Sequence, residues 1–97
     1  MGDGDIGEIK DRILPILKRR GVKRAGVFGS VVRGEAGEGS DVDILVEIER
    51  DDMSLLDFVG IKLELEEALG RKVDLVEYSA LKPLLRERIL AEEVPIL

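Results

Sequence analysis

Asp41-Val42-Asp43-Ile44-Leu45-Val46-Glu47-Ile48 is an apolar run with an acidic residue at alternate places where it begins. A short run rich in Val and Ile reads as a buried strand, and strand side chains alternate between faces, so Asp41 and Asp43 share one face. Residues two apart on a strand face are rooted about 7 Å from each other. Their oxygens can therefore converge on one or two hard cations, and carboxylate oxygens suit magnesium. Upstream, Lys23 to Phe28 reads as another strand and ends in Gly29-Ser30. Gly29 has no Cβ, so the backbone there can approach a phosphate closely, and Ser30 adds a hydroxyl donor. A third short strand, Lys72 to Glu77, carries Asp74 between residues that look buried. A carboxylate in such a setting is costly unless it is paired or bound to metal.

On either side of these strands, helices and strands alternate. From Asp5 to Arg20 the residues Ile9, Ile13, Ile16 and Leu17 recur at helical spacing, with Asp5 and Glu8 as a capping box and Gly21 as the stop. Pro15 is expected to kink or divide that helix, because it lacks an N–H and crowds the preceding turn. A short helical turn is expected at Ser30, and Gly34 to Ser40 reads as a Gly-rich loop. Ser54 and Asp57 mark the start of a second long helix that ends at Gly70, with Leu55, Phe58, Ile61, Leu65 and Leu69 as its core stripe. A last helix after Ser79 contains Leu84, Leu85, Ile89 and Leu90, and Val94 to Leu97 forms a short strand or a tail. The fold class is α/β (α+β), with a small mixed sheet and helices mainly on one face. Asp41, Asp43 and Asp74 then belong on the other face, which so short a chain is not expected to roof with its own residues; a ligand or partner is expected there.

Ninety-seven residues suit one domain with a modest core, and Phe28, Phe58 and Tyr78 as the only aromatics make that core mostly aliphatic. With no cysteine, disulfide and thiolate chemistry are excluded. No signal peptide or membrane-spanning run is evident, so a cytoplasmic protein is expected. The net charge of −6 argues against direct nucleic-acid binding, which depends on Lys and Arg neutralising phosphates. The cluster Lys18-Arg19-Arg20 reads as complementing a helix C-terminus and staying solvated. Gly2-Asp3-Gly4-Asp5-Ile6-Gly7 matches the dinucleotide-binding spacing, but no strand precedes it.

Taken together, Val27-Phe28-Gly29-Ser30, Arg33-Gly34-Glu35-Ala36, Ser40-Asp41-Val42-Asp43-Ile44-Leu45-Val46 and Val73-Asp74-Leu75-Val76 resemble the DNA polymerase beta-type nucleotidyltransferase superfamily. Within it, the chain is similar to the minimal nucleotidyltransferases (MNT), the small antitoxin partners of HEPN-domain toxins. The resemblance implies AMP transfer from ATP to a hydroxyl, a tyrosine of the HEPN toxin, in a hetero-oligomer with that toxin. It also implies two magnesium ions, one at Asp41 and Asp43 with the triphosphate and the second seated with help from Asp74. Gly29, Ser30, Arg33 and Ser40 are then the nucleotide-binding residues. Two other readings stay open: an antitoxin that neutralises by binding alone, and a nucleotidyltransferase acting on a small molecule.

Overall fold

A computed structural model describes residues 6–34, 41–48 and 53–97. Ser40, the capping role of Asp5 and most of the Gly2 to Gly7 segment lie outside the described residues. The chain runs α1 (Ile6–Arg19), β1 (Val22–Phe28), α2 (Ser30–Arg33), β2 (Val42–Ile48), α3 (Leu55–Leu69), β3 (Val73–Glu77), a 3-10 turn at Tyr78–Ala80, α4 (Pro83–Glu92) and β4 (Val94–Pro95). Strand order is β3-β2-β1-β4, with β2 and β3 parallel and the other two pairings antiparallel. The sheet is therefore mixed, as expected from the sequence.

α1 and α3 pack on one face of the sheet. Ile9, Ile13 and Leu17 fall on one side of α1 at spacings of four and are buried. They meet Ile61 and Leu65 of α3 and the inward residues Ala25, Val27, Val42, Ile44, Val46, Val73 and Leu75 of the strands. These alternate along each strand, so the residues between them point the other way. α1 is not divided at Pro15. Pro15 is exposed, so the carbonyl that loses its intrahelical partner is on the side that water can reach. Arg19 and Arg20 both pair with Glu64 of α3, the latter at 2.9 Å, so the basic end of α1 ties the two helices together.

α3 begins with a capping box in which Ser54 and Asp57 satisfy each other's backbone N–H, and it ends at Gly70 in the left-handed conformation. Its core stripe is narrower than expected. Ile61 and Leu65 are buried and Phe58 and Leu69 half-buried, but Leu55 is 77% exposed and lines an open cavity with Ile48, Leu75 and Val76. α4 buries no side chain, and Pro83 takes its first position. β4 then returns to pair with Gly26 and Val27 of β1.

Candidate functional site

The face opposite α1 and α3 carries the acids. Asp43 of β2 is the register partner of Phe28 on β1 and of Asp74 on β3. Neighbouring strands lie about 5 Å apart, so the two carboxylates leave the sheet side by side. Asp41 immediately precedes β2 and is exposed. Its negative charge acts on the Asp43 carboxyl, so the two acids lie near each other. Asp74 is exposed although Val73 and Leu75 beside it are buried, so its carboxylate faces solvent and needs no buried partner. The cost inferred from its flanks does not arise.

Asp43 is half-buried, and its carboxyl is held above the ordinary carboxylate range. Burial is the main cause, followed by the negative charges of Asp74 and Asp41, with Arg33 acting in the opposite direction. The carboxylates of Asp41, Asp43 and Asp74 together are a hard, all-oxygen donor set, which fits magnesium or manganese. Among the described residues, no group of three His, Cys, Asp or Glu side chains is already closed into a coordination shell.

Gly29 stands between β1 and α2 with φ +82° and ψ −149°, a region essentially restricted to glycine. A Cβ at Gly29 would also collide with Oδ2 of Asp43. The backbone turn and the acid thus touch because glycine permits it. Ser30 opens α2 and is half-buried; Arg33 closes it and is exposed. The structure therefore brings Gly29, Ser30, Arg33, Asp41, Asp43 and Asp74 to one end of one sheet face.

Sequence reasoning missed Glu92. Its Oε1 accepts from the Gly29 N–H at 3.0 Å, and both its oxygens accept from Arg33 Nη1 at 3.0 Å. The Arg33 hydrogen bond holds the Glu92 carboxyl below its ordinary range. Next to it, Glu93 lies across Gly26 and accepts from the Tyr78 hydroxyl, while Arg24 stacks over the Tyr78 ring at 4.1 Å. Burial and then the bond to Glu93 push the Tyr78 hydroxyl up, so it stays protonated. The end of α4 therefore covers part of the face that was expected to lie bare. One local signal was available, since two acids at a helix C-terminus oppose the helix dipole and imply a partner elsewhere.

This arrangement can hold a hard cation beside backbone and guanidinium donors for an anion, the pairing that a metal-bound nucleotide requires. Residues 10–97 match the model of the nucleotidyltransferase domain. A Methanocaldococcus jannaschii chain provisionally named a protein adenylyltransferase is 54% identical over 93 residues, covering 96% of this chain and 99% of its own. The protein adenylyltransferase MntA of Thermococcus cleftensis is 52% identical over 79 residues, covering 81% and 79% respectively. Among solved structures, one described provisionally as a minimal nucleotidyltransferase superposes with a TM-score of 0.81 at 42% identity, over 97% of this chain and 96% of that one. The fold also matches, at a TM-score of 0.72 and 19% identity, a structure of tri-AMPylated Shewanella oneidensis HEPN toxin with its MNT antitoxin, over 94% and 71%. With the domain model spanning almost all of the sequence and relatives more than half identical along it, the chain belongs to the nucleotidyltransferase domain family, among its minimal members.

Proposed function

We propose that this protein transfers AMP from ATP to a tyrosine hydroxyl of a HEPN-domain toxin in the cytoplasm, and neutralises the toxin by doing so. The observation that carries the reading is Asp43 meeting Asp74 in register while its own carboxylate lies against Gly29. Relatives named as protein adenylyltransferases, and a fold shared with an antitoxin bound to an AMPylated HEPN toxin, support the choice of acceptor.

Asp41, Asp43 and Asp74 would hold magnesium, two ions in all. Bound magnesium would offset the triphosphate's charge and lower the pKa of the acceptor hydroxyl. The Gly29 N–H, the Ser30 hydroxyl and Arg33 donate to phosphate oxygens. As the acceptor oxygen gives up its proton to water and bonds to the α-phosphorus, the bond to the bridging oxygen breaks and pyrophosphate leaves. Arg33 meets the charge that develops on it. Ser40 completes the set of nucleotide-binding residues proposed from the sequence.

The test is transfer of label from ATP labelled at the α-phosphate, with magnesium, to a HEPN toxin encoded beside this protein. Label is expected on a toxin tyrosine with the wild type and none with Asp43→Asn. An unlabelled toxin that both proteins neutralise equally would replace this reading with that of a binding-only antitoxin.

A further inference from the structure

Two of the donors assigned to phosphate, the Gly29 N–H and Arg33, already hold an anion. The Glu92 carboxylate takes the Gly29 N–H at 3.0 Å and Arg33 through both oxygens at 3.0 Å. Carboxylate and phosphate oxygens accept the same charge-assisted hydrogen bonds, so one set of donors serves one of them at a time. The helix that delivers Glu92 has no share in the core: α4 buries no side chain. Among the described residues its polar contacts run through Glu92 to the Gly29 N–H and Arg33, and through Glu93 and Arg86 to the turn at Tyr78. There Tyr78 donates to Glu93, and Arg86 Nη1 donates to the Tyr78 carbonyl at 3.0 Å. A side chain at the end of such a helix can re-aim without disturbing the core on the opposite face of the sheet.

We propose that Glu92 is a placeholder anion: in the nucleotide-free protein its carboxylate occupies the donors that receive the triphosphate, and the nucleotide expels it. This inference rests on the nucleotidyl-transfer reading of the site. Glu92 accepts from the Gly29 N–H and Asp43 lies against the same residue, so the departure of Glu92 clears a negative charge from beside the metal seat. The consequence is a tax on affinity. When the competent, open cradle is only a fraction of the population, the apparent Kd rises by the inverse of that fraction. A purely structural strut that aims Arg33 predicts the opposite, since losing it would weaken nucleotide binding.

Calorimetric titration of AMP-PNP with magnesium, and separately of inorganic tripolyphosphate, into the full chain and its Glu92→Gln and Glu92→Ala variants tests this, with circular dichroism confirming each fold. Both variants are expected to bind both ligands about three- to tenfold more tightly than wild type, the effect of an open fraction of roughly a third to a tenth. Equal or weaker binding by the folded variants, with wild-type binding intact, overturns the placeholder and leaves the nucleotide reading standing. Absence of AMP-PNP binding in all three folded proteins overturns the nucleotide reading, and the placeholder with it. Should the variants fail to fold, carbon-13 NMR of wild type decides. The Glu92 carboxyl resonance is expected to move together with the Gly29 amide on adding tripolyphosphate, and a Gly29 shift with Glu92 unmoved overturns the proposal.

Discussion

Gly29 concentrates two constraints in one residue, a backbone conformation that other residues adopt at a cost of about 1–3 kcal/mol and a neighbouring carboxylate where a Cβ would stand. Gly29→Ala is therefore expected to lower stability by roughly that amount in urea denaturation and to abolish AMP-PNP binding by calorimetry. Asp43 behaves differently. Its folded pKa is raised, so at pH above that value its charge opposes folding in the absence of metal. Asp43→Asn is expected to raise the Tm of the ligand-free protein by a few degrees while removing transfer activity. A fall in Tm would show that the charge is already compensated.

At the scale of elements, the two long helices owe their places to a few side chains. Ile13 and Leu65 are fully buried where α1, α3 and the sheet meet, and either one replaced by Ala should cost about 2–5 kcal/mol in chemical denaturation. Ser54→Ala removes half of a capping box at an exposed helix start, and about 1 kcal/mol is expected from it. α4 responds to pH instead. A carboxylate held below its ordinary value stabilises the fold at neutral pH and loses that contribution as pH falls through its folded pKa. Glu92 is such a group, with Arg33 as the chief cause. Amide exchange in α4, corrected for intrinsic rates, should therefore quicken below the ordinary carboxylate range while β2 stays protected.

For the whole molecule, binding and stability are linked. AMP-PNP with magnesium at about a hundredfold its Kd should add about 2.7 kcal/mol to the free energy of unfolding. In a chain of 97 residues that is a Tm rise large enough to read by scanning calorimetry, and Asp43→Asn should largely lose it. The net charge of −6 acts at this scale too. It disfavours direct nucleic-acid binding, and under the proposed function the acidic face would take its phosphate as a metal-bound nucleotide.

Alternation along Asp41 to Ile48 and the four-residue spacing of Ile9, Ile13 and Leu17 were enough to place a strand, a helix and the shared face of two acids, because those periods are properties of the local backbone. Gly29 was legible for a similar reason, since a missing Cβ has consequences wherever it occurs. The exposure of Leu55, the passage of α1 through Pro15 and the seat of Glu92 were decided by tertiary structure alone. Each depends on which distant element lies opposite, and Glu92 reaches a backbone N–H 63 residues earlier in the chain. A pattern read along the sequence reports the face a residue occupies, whereas what that face meets is set only when the strands pair and α4 folds back across them.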